Sequence, residues 1–517
     1  MSFRESVTAG PATERASRVK YVGAEDVGYK KTLRARQIQM IAIGGAVGSG
    51  LFLGAGARLS EAGPSLVFAF AVCGVFAWFI IRALGELVLH RPSTGSFVSY
   101  AREFYGEKLA YAAGWMYWTN WVTVAIAELT ATALYLNFFK AYVPFLGDVP
   151  QWASALGVLA IITGINLVSV RIFGELEFWF AFFKVAALVT FLCVGVYMVI
   201  FGTPIDGHVP GFQLISDHGG WFPYGVMPAV ILIQGVVFAY GSIELVGTAA
   251  GEAQDVEKVM PKAIRAVVFR IVVFYVGTIL LLSLLMPSSS YIPGVSPLVT
   301  FFGAIGVRGA DAIMNMVLFT AAISSLNAGI YTTGRILRSL AVTGSAPPFL
   351  VKMNSSGVPF AGIMFTTIAS LVGVAMNAFL PGQAFEIAMS LTAILMLGAW
   401  GVIILCQLKL FKLSQQGLIE RPKFRMMFAP YSGYATLAFF VLVFILIACD
   451  YPVGTYSAAS IPFYAAVLVI GWYMVRGRVY GIANRKLKFD ENQELVSTTA
   501  AEANEELAVK PTLKEAQ

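Results

Sequence analysis

Charge is scarce in this sequence. Asp, Glu, Lys and Arg make up only 13% of its 517 residues, where a soluble domain carries roughly 25%. Cysteine and histidine are scarcer still. Cys73, Cys193, Cys406 and Cys449 all fall in apolar runs and form no CxxC pair; His90, His208 and His218 are scattered in or beside loops. A disulfide framework and a zinc site are thereby excluded, and neither a metal nor a cofactor is expected. There is no Walker-type phosphate loop and no polar stretch long enough for an ATPase domain, so ATP hydrolysis is not the energy source. No alternating ten-residue strand pattern suggests a β-barrel. No constellation for covalent chemistry is present, and the chain is not expected to be an enzyme. The first 37 residues are polar and basic without a signal-peptide core, so the first apolar span is expected to act as the insertion signal.

Long apolar runs are what the sequence has in abundance. Hydrophobic residues reach 58% and the mean hydropathy is +0.74. Runs of 18 or more recur throughout, as in an all-α polytopic membrane protein whose partner is the lipid bilayer. Twelve spans are predicted, at about 38–57, 65–89, 109–138, 151–170, 175–201, 223–250, 264–286, 311–335, 359–380, 384–408, 431–449 and 456–476. Of the 36 Lys and Arg, only Arg58, Lys140 and Arg308 fall on one side of this topology, and Arg82, Lys184 and Arg270 lie within spans. All the others lie on the opposite side. By the positive-inside rule both termini are cytoplasmic, in a cell inner membrane. The net charge of +7 reflects that bias and does not point to nucleic acid. The tails, 1–37 and 477–517, carry too little apolar surface to fold. Pro92 to Lys108 reads as an interfacial helix.

Two spans are weak at their centres. The first holds GGAVGSG from Gly44 to Gly50, four glycines in seven residues. Each costs a helix about 1 kcal/mol relative to alanine. The sixth holds Phe238, Ala239, Tyr240, Gly241, Ser242, Ile243, Glu244. Within hydrocarbon a broken helix is tolerated where it lines a cavity or is buried in protein. Paired interruptions at matching positions point to an inverted-repeat transporter, with halves 38–201 and 223–408 and two further helices at 431–476. Close packing through small residues is the alternative. If the breaks form a site, the N–H groups around Gly45, Val47, Gly48, Ser49 and Gly50 suit a carboxylate. The carbonyls of Phe238, Ala239 and Gly241 suit an ammonium, and Phe238 and Tyr240 would be aromatic lids. The ligand is then a small zwitterion.

Several motifs resemble those of amino acid permeases in the amino acid–polyamine–organocation superfamily, bacterial amino acid transporter subgroup. They are IAIGGAVGSGLFLGAG in span 1, RALGELVLHRPSTGSFVSYAREF at 82–104, GWMYWTNW at 114–121, GELEFWFAFFKV at 174–185, FAYGSIELVGTAAGE at 238–252 and SSLNAGIYTTGRILRSLA at 324–341. The resemblance implies a LeuT-type 5+5 inverted repeat plus two helices, and import of an amino acid by proton symport with alternating access. Within the subgroup the pattern is most similar to the asparagine carriers. Glycine, serine, alanine or GABA as substrate, an exchanger or a sodium-driven porter, and a non-transporting sensor are the alternatives.

Three charges inside spans are candidates for the coupling machinery. Lys184 lies nine residues beyond Glu175, about 13 Å along a helix, and is either a proton carrier or a structural, salt-bridged lysine. The resemblance places such a lysine beside span 1. Glu128 in span 3 could contact substrate, relay protons or serve packing. Glu244 could act in a gate or relay, or be structural. Arg82 and Glu86, four apart, are expected to pair with each other. Ser324, Ser325 and Asn327 form a polar patch on span 8 that would support span 1 or bond between helices. Trp115, Trp118 and Trp121 read as packing or interface anchors.

Overall fold

A computed structural model describes residues 48–93, 96–168, 170–245 and 256–483. The first tail, residues 484–517 of the second, Gly45 and Val47 lie outside the described residues, while 477–483, expected as tail, continue the last described helix. The helices that matter for function are α1 (Ser49–Phe52), α2 (Gly54–Ala62), α3 (Leu66–His90), α4 (Ser96–Tyr105), α5 (Glu107–Phe138), α6 (Gln151–Val168), α7 (Val170–Phe201), α8 (Val226–Ile231), α9 (Ile233–Ala239), α10 (Val256–Arg270), α11 (Gly277–Leu285), α12 (Pro297–Ala304), α13 (Ala310–Val342), α14 (Phe360–Phe379), α15 (Ala384–Gln415), α16 (Tyr431–Cys449) and α17 (Val453–Ala459), with α18 over 461–483. No strand occurs among the described residues.

Among the described residues ten helices are long and apolar enough to cross a membrane. Twelve spans were expected, and the two missing from that number are the interrupted ones. The second half of span 1 runs into span 2 through a tight turn at Gly63 (φ +64), so both fall in one stretch, Ser49–His90. The apolar helix described in span 6 is short, Val226–Ala239. α4 stands where the interfacial helix was expected, while α12, between spans 7 and 8, was not anticipated.

The bundle centre is α5, α13, α15 and α3, all largely buried. At the other extreme α18 is mostly exposed: Phe463 is 75% and Met474 81% exposed, and only Trp472 and Val479 are buried. Apolar surface so continuous belongs against lipid tails. Span 7 contains a π-helical stretch, Ile271–Val276, between α10 and α11. Such bulges mark places where a helix gives up regularity to aim a side chain; here Tyr275 is turned onto Tyr240, ring centroids 4.9 Å apart and 18° between planes.

The expected Arg82–Glu86 pair is corrected. Glu86 is fully buried and accepts from Arg421 Nε at 2.6 Å, Gln407 Nε2 at 3.1 Å and the Met426 N–H at 2.7 Å. The Arg82 guanidinium instead lies over the Phe424 ring, 3.9 Å from its centroid, and donates to the Arg425 carbonyl. Both residues thus clamp the 416–430 connection across the end of α3, a long-range contact that i, i+4 spacing does not reveal. Removing one partner of a buried ion pair strands the other, at about 3–5 kcal/mol. Glu86→Ala should therefore lower the thermal unfolding midpoint of the detergent-purified protein more than Arg82→Ala does. Equal midpoints would mean that the connection is held elsewhere.

Candidate functional site

Among the described residues a helix end falls at each weak centre. Gly48 is extended (φ −122, ψ −164) and α1 starts at Ser49. α9 stops at Ala239, and residues 240–244 are turn. Within that turn Ser242 has φ +67, a left-handed conformation unusual for a residue with a side chain, costing about 1–3 kcal/mol. The chain holds this strain where the surrounding packing imposes it.

The breaks press against each other. A Cβ on Gly50 would lie 2.6 Å from Phe238 Cδ1 and 2.9 Å from Ala239 Cα. Only glycine permits this approach. A Cβ on Gly48 would lie 2.7 Å from Glu128 Oε1 and 2.9 Å from Ser325 Oγ. Span 1 therefore passes between span 6 on one side and spans 3 and 8 on the other.

Glu128, on α5, is buried, and its Oε1 accepts the Ser49 N–H at 3.3 Å. A helix start carries unsatisfied N–H groups and partial positive charge, and here a side-chain carboxylate occupies that place. Lys184 on α7 is completely buried, with Glu177 and Glu128 as the carboxylates in electrostatic reach. Glu177, also fully buried, takes Ser324 Oγ–H at 2.7 Å and Asn327 Nδ2–H at 3.5 Å. Asn166 Nδ2 donates to Asn327 Oδ1 at 2.8 Å. The span 8 patch thus divides, with Ser325 beside span 1 and Ser324 and Asn327 on Glu177. Glu177 escaped notice in the sequence, although it stands seven residues, two helical turns, before Lys184 on the same face.

Glu244 follows the span 6 break, buried, and accepts Trp400 Nε1–H from α15 at 3.1 Å. That partner is on α15, whereas the carboxylates in electrostatic reach of Lys184 are on α7 and α5. Tyr240 is not placed as a lid. Its hydroxyl donates to the Phe70 carbonyl at 2.6 Å and its ring stacks on Tyr275, so the side chain points into the α3 packing and only the backbone remains at the break. The Phe238 carbonyl already accepts the Gly241 N–H at 3.0 Å. The tryptophans pack as expected: Trp115 and Trp118 donate to the Ser345 carbonyl and Thr366 Oγ1, and Trp121 lies against Gly329.

Toward the α2 end, Arg58 is buried against Gly235 of α9, donates to the Gly54 carbonyl at 2.6 Å, and lies 3.9 Å from Glu386 on α15. Gln234 Nε2 donates to Asp450 at 2.9 Å, and burial pushes the Asp450 carboxyl above its usual range. Arg58 and Gln234 tie spans 1, 6 and 10 and the α16–α17 connection together on this side of the breaks; Glu86 does the same for spans 2 and 10 at the far end. No group of three His, Cys, Asp or Glu able to hold a metal occurs among the described residues.

A polytopic helical bundle in which two helix ends meet at a buried, charge-lined centre fits a membrane transporter. The chain shares its fold with a solved manganese transporter of Eremococcus coleocola, determined with an aromatic bis-isothiourea substituted compound, at TM-score 0.51 and 13% identity, covering 87% of this chain and 94% of that one. Residues 37–493 match the amino acid permease family, and the chain belongs to it. It is 53% identical over 468 residues to L-asparagine permease 1 of Mycobacterium tuberculosis, covering 90% of this chain and 95% of that protein. To the L-asparagine permease of Salmonella typhimurium it is 51% identical over 472 residues (91% and 94%), and to that of Escherichia coli 50% over 481 (93% and 96%).

The contact at Gly50 gives a sharp test. Gly50→Val forces a branched side chain into the Phe238–Ala239 backbone and should reduce amino acid affinity at least tenfold, read by ligand-induced thermal shift on purified protein. Gly157→Val, where a Cβ meets nothing within 4 Å, should not. Wild-type affinity in Gly50→Val would remove the breaks from the binding site.

Proposed function

We propose that this amino acid permease imports L-asparagine by proton symport with alternating access, across a cell inner membrane with both termini cytoplasmic. The relatives' names support the substrate, and the charge bias of the loops supports the orientation. The domain plan is two five-helix halves, 38–201 and 223–408, followed by 431–476, with tails at 1–37 and 477–517. Matching interruptions in the first and sixth spans support it.

One observation carries the coupling: the start of the span 1 half-helix is held by a buried carboxylate, Glu128, that shares its surroundings with Lys184. The substrate's own carboxylate is suited to the same N–H groups, at Gly48, Ser49 and Gly50 and, in the preceding residues, at Gly45 and Val47. Two unprotonated carboxylates cannot share one helix end without a large electrostatic penalty. A proton arriving at the Glu128–Lys184–Glu177 cluster lets substrate bind there. The ammonium goes to the span 6 carbonyls at Ala239 and Gly241, with Phe238 and the Tyr240 backbone lining the break. Glu244, farther along span 6, serves the gate through Trp400. Closure at the Arg58 end and at the Glu86 end would alternate.

Proteoliposomes decide this reading. Labelled asparagine should accumulate under an inward proton gradient, and a protonophore should abolish accumulation without needing sodium. Lys184→Ala should still bind asparagine by thermal shift, yet lose the dependence of uptake on the pH gradient. Normal gradient-driven accumulation in that variant would refute the proton role of Lys184, and sodium dependence would favour a sodium porter.

A further inference from the structure

Asn120 lies on α5, 4% exposed, and its Oδ1 is buried with no hydrogen-bond partner among the described residues. Leaving a buried amide unpaired is unfavourable by an amount comparable to a lost hydrogen bond, so such a group calls for a partner.

The rungs on either side fix where Asn120 sits. Three residues earlier on α5, Tyr117 stands beside Glu244, which takes the indole N–H of Trp400 on α15. Three residues later, Thr123 Oγ1 accepts from Thr392 Oγ1 of α15 at 2.8 Å. The two helices are therefore antiparallel here, and Asn120 is level with Met396. A Cβ on Gly241, in the span 6 break, would lie 3.3 Å from the Met396 sulfur. Asn120 consequently occupies the α5 face that looks toward α15 and the break, between the two rungs. The threonine hydroxyls have other acceptors for their one proton each: the Asn120 main-chain carbonyl lies 2.8 Å from Thr123 Oγ1, and the Thr392 proton is shared between Thr123 Oγ1 and the Ala388 carbonyl, 2.8 and 2.7 Å away.

We infer that Asn120 reads the side chain of the transported amino acid and selects a carboxamide. The inference rests on the substrate reading above and adds the residue that enforces it. A primary amide offers one acceptor and two donors. Facing a second primary amide, it can give one hydrogen bond and take one. A side-chain carboxylate supplies no donor, so the Asn120 acceptor would stay unpaired. An isopropyl group supplies neither. Sites built around buried hydrogen-bonding groups reject analogues that lack the partner far more strongly than apolar pockets reject an extra methylene.

The test is a ratio, because general damage weakens all ligands together. Unlabelled asparagine and its isostere leucine compete against labelled asparagine uptake in wild type, Asn120→Leu and Asn120→Ser proteoliposomes. The leucine-to-asparagine ratio of half-inhibiting concentrations should fall at least tenfold in both variants. Where a variant no longer takes up label, ligand-induced thermal shifts of the purified protein give the same ratio. If Asn120→Leu is not recovered folded, the smaller Asn120→Ser carries the measurement. An unchanged ratio, or equal loss of both ligands, overturns the inference while leaving asparagine transport standing. Failure of the wild type to take up asparagine strikes the substrate reading instead, and this inference with it.

Discussion

A carboxylate on one helix holding the first N–H of another is the contact around which this bundle is arranged. α1 begins inside the protein, at Ser49, after an extended Gly48 that gives it no side-chain cap. Glu128 supplies one. The half-helix can then start at mid-bundle, and because it starts there, span 1 is narrow enough to lie between span 6 and spans 3 and 8. The glycines follow from that geometry. Gly48 admits the Glu128 carboxylate and Ser325, and Gly50 admits the end of α9. Their helix-breaking tendency and their lack of a side chain are used at once, which is why small-residue packing and backbone interruption are not competing explanations of GGAVGSG.

Packing transmits this arrangement outward. The same break in span 6 that meets Gly50 places Ser242 in a left-handed conformation and sends Tyr240 into α3, where Phe70 and Tyr275 hold it. The π-helical segment of span 7 is what brings Tyr275 parallel to Tyr240. A regular helix rotates each residue by a fixed amount, and inserting one wider turn re-aims the residues within and beyond it. The strained turn at 240–244 is therefore braced by an irregularity in its neighbour.

Hydropathy made most of the fold legible, because lipid demands long continuous apolar helices and the sequence shows them. Expected and observed bounds agree closely for spans such as Phe360–Phe379 and Tyr431–Cys449. The two weak centres were legible through glycine content and the mid-span Glu244. Partnerships were not. Glu86 was assigned to Arg82 because only spacing within one helix can be read from a chain, whereas its partner Arg421 is 335 residues away. Glu177 was hidden among aromatic residues beside Glu175, and only the packing of α7 on α13 distinguishes the buried carboxylate from its neighbour. Tyr240 lay at a break, and position alone made it a lid; the acceptor at Phe70 decides its direction. Asn120 carried no signal at all, since an asparagine next to a tryptophan is notable only once its surroundings leave it without a partner.

Charge arithmetic at the centre links the structure to the proposed coupling. Lys184, Glu128 and Glu177 are all buried. With every group ionised they carry one net negative charge, and buried unbalanced charge is heavily penalised. One bound proton brings the cluster to neutrality, and an amino acid zwitterion adds no net charge. On the proposed mechanism the loaded site would then be neutral with one proton and one substrate, while substrate alone would pit two carboxylates against each other at the Ser49 helix start. On that proposal, removing either passenger would destabilise the other's place. Coupling of this kind needs no contact between proton and substrate; it needs only that both answer to the same half-helix terminus, and Glu128 is the side chain that stands at it.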